Sequence, residues 1–213
     1  PAPASISHCP SIMSDSEPTV FVVDDDEPVR DAIGMLLDTV DLPHECYASA
    51  TAFLAGYNTQ RTGCLVLDIR MPGMSGLELQ DHLQTENDPL PIIFITGHGD
   101  VPMAVDAMQK GAVDFIQKPF RDQDLLDRIR EALKTDQERR EEQQRHAEVA
   151  ERLARLTNRE REVFDLVVTG KPNKVIAYEL GVSQRTVEIH RARVMEKMQA
   201  RSLADLVKMH MTA

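Results

Sequence analysis

A chain of 213 residues with a 42% hydrophobic share is long enough for two compact units with cores of their own. No apolar run approaches the length that crosses a bilayer. The cysteines, Cys9, Cys46 and Cys64, are odd in number and unpaired in spacing, which argues against a disulfide framework or a zinc site and makes a reducing cytoplasm the expected compartment. The net charge of −11 is unevenly spread: residues 19–133 hold 20 acidic and 8 basic side chains and residues 157–213 hold 7 and 10, so the acidic average does not exclude a polyanion at the C-terminal end.

Residues 1–18 are small, polar and proline-containing, without periodicity, and are expected to form a disordered extension. They lack the basic and apolar segments of a secretory signal, and Met13 is a candidate start. Thr19–Val23 is a run of strand formers that ends in Asp24, Asp25 and Asp26. Helical spacing follows over 28–39 through Val29, Ile33, Leu36 and Leu37, and His44–Tyr47 is a weaker strand. A buried strand over 64–67 ends at Asp68, with a helix over 76–83 behind it. A strand over 92–95 ends at Thr96, then come a short helix over 102–110, a strand over 112–116 and a helix over 122–133. Strands separated by helical stretches pair in parallel through right-handed crossovers. The expectation is an α/β doubly wound five-stranded parallel sheet of flavodoxin-like type over residues 19–133.

Residues 134–152 are charges, Gln and Ala without Pro or Gly, which predicts a helical linker; it lacks the apolar heptads of a coiled coil. Residues 153–213 read as an all-α unit of four helices. Thr157 and Glu160 have capping-box spacing, and Gly170 and Pro172 end the first helix. Asn173–Leu180 is the second, Gly181 the turn, Gln184–Met198 the third, and the fourth begins near Ser202.

In open parallel sheets, functional groups collect at the carboxyl ends of the strands. Asp24 and Asp25 follow the first strand, Asp68 the third, Thr96 the fourth and Lys118 the fifth. Three crowded carboxylates call for a hard divalent cation, Mg²⁺ or Mn²⁺. Lys118 and the Thr96 hydroxyl suit phosphoryl oxygens, so the pocket can take a phosphoryl group onto Asp68. His98, in the loop after Thr96, is given no role. An aspartate-nucleophile phosphohydrolase of haloacid-dehalogenase type is the enzyme alternative, but it needs a second acid two residues on, where this chain has Arg70. A nucleotide-binding domain is the other, but no glycine-rich phosphate loop follows a strand.

The segments VFVVDDDEPVR, LVLDIRMPGMSGLEL, IIFITGHGD and VDFIQKPF resemble the receiver domain of two-component response regulators. The resemblance implies that Asp68 is the phospho-acceptor and that Asp24 and Asp25 are the metal-binding pair, with the Arg70 backbone carbonyl as a further ligand. It also implies that Thr96 and Phe115 are switch residues and that Lys118–Pro119 is a cis peptide.

On a helical wheel the third C-terminal helix puts Val187, Val194 and Met198 on one stripe, with Arg185, Glu188, Ile189, Ala192, Arg193 and Glu196 opposite. An isoleucine among charges suits a thymine methyl in a major groove. Arg185 suits a guanine edge, Glu188 a cytosine amino group, and Ala192 close approach. Thr186, Arg193 and Lys197 flank this face and suit phosphates, as do Asn173 and Lys174 at the start of the second helix. The stretch LTNREREVFDLVVTGKPNKVIAYELGVSQRTVEIHRARVMEKM resembles the LuxR-type helix-turn-helix, and the whole chain resembles the NarL/FixJ class, FixJ-like members most. Many relatives have Lys at the position of Glu188, so base preference is not carried over.

The resemblance implies a phosphorylation-switched transcription regulator, not an enzyme beyond its own phosphoryl transfer and hydrolysis. Its implied partners are a sensor histidine kinase, double-stranded promoter DNA, RNA polymerase and, when phosphorylated, a second copy of itself; no membrane is expected. Val105, Met108 and Ala112 are the side chains expected on a pairing face. The charge split leaves two forms of control open: inhibition of the basic unit by the acidic one, or dimerisation alone.

Overall fold

The computed structural model describes residues 17–86, 90–97 and 101–212. The expectations for residues 1–16 and for His98 lie outside the described residues. The chain divides into two compact units, residues 1–138 and 139–213.

The first unit is a five-stranded parallel sheet in the order β2-β1-β3-β4-β5, built from β1 (Thr19–Val23), β2 (His44–Tyr47), β3 (Gly63–Asp68), β4 (Ile92–Thr96) and β5 (Asp114–Gln117). Its inner strands are apolar at successive positions because both faces are covered. Val20, Val22, Val66, Ile93 and Ile95 point to one side, where α1 (Glu27–Asp38) and α5 (Asp122–Ala154) supply Ile33, Leu37, Leu125 and Ile129. Phe21, Val23, Leu65, Leu67 and Phe94 point to the other. There they meet Phe53 of α2 (Ala50–Gly56), Leu79 and Leu83 of α3 (Gly76–Thr85) and Ala107 of α4 (Val101–Gln109). Period-two alternation along the inner strands therefore feeds two cores at once.

Two elements differ from the sequence expectation. Helix α2 was not foreseen: it has seven residues and buries only Ala50 and Phe53, too little for a helical period to show, although Ser49 caps it by accepting from Ala52 N at 3.1 Å. Strand β5 starts at Asp114 rather than residue 112, because Ala112 N donates to Ala107 O at 3.0 Å and closes the turn after α4.

Helix α5 runs for 33 residues without interruption. Its residue 136 still belongs to the first unit: Asp136 is buried, and its carboxylate accepts from Gly63 N at 3.1 Å beside the fully buried thiol of Cys64. In the second unit Val149 and Leu153 join the core of α6 (Asn158–Val168), α7 (Asn173–Leu180), α8 (Gln184–Met198) and α9 (Leu203–Thr212). The predicted capping box is present at the start of α6: Thr157 Oγ1 accepts from Glu160 N, and the Glu160 carboxylate accepts from Thr157 N. The expected stripe of Val187, Val194 and Met198 is fully buried.

Gly63 opens β3 at φ +148°, and a Cβ there would lie 1.8 Å from Thr19 O. Gly63→Ala is therefore expected to lower the stability of the first unit by about 1–3 kcal/mol, the scale of one such backbone strain. Urea unfolding measures this; an unchanged midpoint would contradict the contact.

Candidate functional site

Register places Asp24 after Val23, Asp68 beside Ile95, and Thr96 opposite Gln117, one residue before Lys118. Asp24, Asp68 and Thr96 are buried and Lys118 is half-buried, while Asp25 and Arg70 are exposed at the rim. Lys118 Nζ donates to Asp24 Oδ2 at 2.6 Å and to Asp68 Oδ1 at 2.9 Å. The Lys118 backbone is set by its own N–H, which donates to Thr96 O at 2.7 Å, and by the cis peptide to Pro119. The remaining carboxylate oxygens accept from local N–H groups, Asp24 Oδ1 from Asp26 N at 2.9 Å and Asp68 Oδ2 from Arg70 N at 2.7 Å.

The loop after Asp68 is closed by Gly76, whose N–H donates to Ile69 O at 2.9 Å. A Cβ on Gly76 would lie 2.3 Å from Asp68 O, so the start of α3 comes this close only as glycine. Arg30 Nη1 donates to Asp24 O at 2.7 Å; nothing in the spacing of the sequence singled this residue out. Phe115 is half-buried in the cluster that holds Phe94, its register partner.

Burial raises the Asp68 carboxyl above the ordinary range, the Lys118 ammonium and its hydrogen bond oppose that, and the nearby Asp24 adds to it. Burial likewise works against the Lys118 ammonium, but its hydrogen bonds to Asp24 and Asp68 outweigh it and leave its pKa raised. The pair Asp68–Lys118 is thus a buried carboxylate beside a fixed positive charge.

Among the described residues no three His, Cys, Asp or Glu side chains form a cage. The structure brings Asp24 and Asp68 together around Lys118 and leaves Asp25 and Arg70 beside them. This all-oxygen donor set fits a magnesium-sized ion, which uses one or two carboxylates and keeps several waters. An apolar hollow of about 570 Å³ opens next to Lys118, lined by Val29, Ile33, Leu36, Pro119 and Phe120 among others.

On α8, Arg185, Glu188, Ile189, Ala192 and Arg193 are all exposed along one side, Ile189 by 48%. Thr186 is half-buried; its N–H donates to the N-cap Ser183 Oγ at 3.1 Å. Lys174 is exposed in the first turn of α7, and Asn173 Oδ1 accepts from Arg191 Nη1 at 3.0 Å. Arg191, which the sequence reading passed over, therefore ties the start of α7 to α8. Lys197 is placed apart from the group: its ammonium donates to Glu160 Oε2 at 2.6 Å and to Arg155 O at 3.1 Å, an internal tie rather than an outward cation. Of the expected pairing side chains, Val105 and Met108 are about half exposed, but Ala112 is buried where the chain turns back from α4.

Comparisons with known proteins agree with this anatomy. Residues 20–130 match the family described as response regulator receiver domain, and residues 154–210 match bacterial regulatory proteins, luxR family. The chain is 45% identical over 196 residues to the response regulator protein TodT of Pseudomonas putida, covering 92% of this chain and 86% of that one. It is 48% identical over 191 residues to the transcriptional regulatory protein FixJ of Rhizobium meliloti, covering 90% and 94%. The solved structure of the response regulator StyR superposes with a TM-score of 0.85 at 45% identity, covering 93% of this chain and 100% of that one. No helix among the described residues is long and apolar enough to cross a membrane.

The hydrogen bond from Lys197, with the one from Thr157 N, holds the Glu160 carboxyl down from 4.5 to about 2. A depressed carboxyl stabilises the fold above its unfolded pKa, and the contribution fades as pH falls through its folded one. The stability gap between the native chain and Glu160→Gln is thus expected to be full above pH 4.5 and to close as pH falls towards 2. Urea unfolding followed through amide signals of α6–α9 at several pH values checks this; a gap that does not vary with pH would contradict it.

Proposed function

Because the chain belongs to the response regulators, joining a receiver domain to a LuxR-type DNA-binding domain, we propose that a sensor histidine kinase phosphorylates it on Asp68 and that the phosphorylated chain then pairs, binds promoter DNA and activates transcription by RNA polymerase. The observation that carries this reading is the buried Asp68 carboxylate, held 2.9 Å from Lys118 at the carboxyl edge of the sheet.

In the transfer, one Asp68 carboxylate oxygen attacks phosphorus, the bond from phosphorus to the donor imidazole nitrogen breaks, and an acyl phosphate forms. Lys118 moves from Asp68 Oδ1 to a phosphoryl oxygen and neutralises it, while the Thr96 hydroxyl donates to another. Asp24, Asp25, Asp68 and the Arg70 carbonyl are the groups that would hold Mg²⁺ or Mn²⁺, which supplies further positive charge there. The hollow beside Lys118 supports docking of a partner that carries an apolar side chain. Turning over its own phosphoryl group is the chemistry assigned to the pocket, in a cytoplasmic setting.

Drawing Thr96 towards the phosphoryl group makes room for Phe115 to turn inward, which reshapes the α4–β5 face with its exposed Val105 and Met108. Pairing there places two recognition helices on half-sites about one helical turn apart. In each, Arg185, Glu188, Ile189 and Ala192 face base edges, while Thr186, Arg193, Asn173 and Lys174 serve the phosphates.

Asp68→Asn is expected to reduce labelling by acetyl phosphate with Mg²⁺ to background, since an amide cannot form the acyl phosphate; stoichiometric labelling of the variant would refute the acceptor. Arg185→Ala is expected to lower discrimination between operator and random DNA by about 1–3 kcal/mol. Lys174→Ala is expected to weaken both alike and to flatten the salt slope by about one unit. Titrations at two salt concentrations separate these outcomes, and identical behaviour of the two variants would rule out this division between base and phosphate contacts.

A further inference from the structure

A buried amide on α3 holds the last turn of α4. Gln80 is 1% exposed, and its Nε2 donates to Ala107 O at 3.0 Å and to Lys110 O at 3.2 Å. One turn on, Gln84 also donates to Lys110 O. Between them Asp81 pairs with Lys110 Nζ at 2.8 Å, and Asp106 pairs with the same ammonium at 3.4 Å. The carbonyls of a last helical turn have no partner within the helix. Here α3 side chains help to supply those partners.

The amide is not there merely to fill space. Its Oε1 is buried with no hydrogen-bond partner among the described residues, a penalty that an apolar side chain of the same size would avoid. What Gln80 adds over such a side chain is direction: two hydrogen bonds fix the end of α4 against α3. Helix α3 is itself fixed to the acceptor loop through Gly76 N and Ile69 O. The C-terminal turn of α4 is therefore tied to the same frame as Asp68.

We propose that Gln80, with Asp81 and Gln84, is a positioning residue that anchors the C-terminal turn of α4, so that α4 pivots on residues 107–110 when Asp68 is phosphorylated. The proposal rests on Asp68 being the acceptor. The N-terminal half of α4 then moves, Met108 stays near the pivot, and Val105 is displaced relative to it.

Amide hydrogen exchange of the full chain and of Gln80→Met, before and after acetyl phosphate with Mg²⁺, tests this, with phosphoryl uptake followed separately by mass. Methionine is similar in size to glutamine, and Ala107 O and Lys110 O keep the donors Ala112 N and Gln84. In the native chain phosphorylation is expected to change exchange at residues 101–104 and to leave 107–111 within about two-fold. In Gln80→Met, exchange at 107–111 is expected to rise about ten-fold in both states, with phosphoryl uptake unchanged. Equal changes at both ends of α4 in the native chain, or a variant within about two-fold at 107–111, would overturn the anchor. A native chain that takes up no phosphoryl group would overturn the acceptor reading instead, and the unphosphorylated comparison would still decide the anchor. Should Gln80→Met not fold, Gln84→Ala at an exposed position is expected to speed exchange at 110–113 about three-fold, and no change there would overturn the proposal.

Discussion

Two carboxylates from different strands, Asp24 and Asp68, meet one ammonium from a third, Lys118, at the edge of an otherwise apolar sheet. Without that ammonium the carboxylates would be buried within a few ångströms of each other, an arrangement that favours protonation of one or separation of both. The parallel order β2-β1-β3-β4-β5 is what brings the ends of β1, β3 and β5 to the same edge. Chemistry and architecture therefore share one constraint. In the proposed function the group that neutralises the resting pocket is also the one that must let go of Asp68 when a phosphoryl group arrives, so occupation of Asp68 would be felt at the end of β5.

That redistribution has a short path into the rest of the unit. Lys118 N is bonded to Thr96 O, and Phe115 lies three residues before Lys118 in the register of Phe94. On the other side, the acceptor loop leads through Gly76 into α3. One route reaches the strand behind the α4–β5 face and the other the end of α4. One end of that face is held in place by α3, and a packed arrangement of this kind favours discrete rearrangements over gradual ones.

Much of this was legible in the sequence because strand ends carry unusual residues. A triple aspartate, a lone aspartate, a threonine and a lysine–proline pair each close an apolar run, and the structure gathers Asp24, Asp68, Thr96 and Lys118 at one edge. On α8, periodicity separated the exposed face from the buried stripe correctly. What stayed hidden depends on partners distant in sequence. Lys197 fits the edge of the recognition face on a helical wheel, but its partner Glu160 lies 37 residues earlier, and no wheel shows that. The links of Arg30 to Asp24 O and of Arg191 to Asn173 are equally invisible to spacing. Ala112 was expected on the pairing face with Val105 and Met108, yet the turn after α4 buries it. Helix α2 was missed because its capping serine says where a helix starts, while a single fully buried aromatic does not say that one continues.

The C-terminal unit uses many of its basic side chains on itself. Lys197 is joined to Glu160, Lys171 to Glu179, Arg159 to Glu162 and Arg161 to Asp165. In the proposed function a single copy therefore meets a DNA duplex with part of its positive charge already engaged by its own carboxylates, which weakens each single foothold. Two footholds joined in one particle behave differently, because the second binds at the high effective concentration set by the first. With weak single grips and the proposed pairing, occupancy of a promoter would follow the square of the competent protein rather than its amount. A modest rise in signal would then become a steep threshold, to which the internal ion pairs of the C-terminal unit contribute by weakening each single grip.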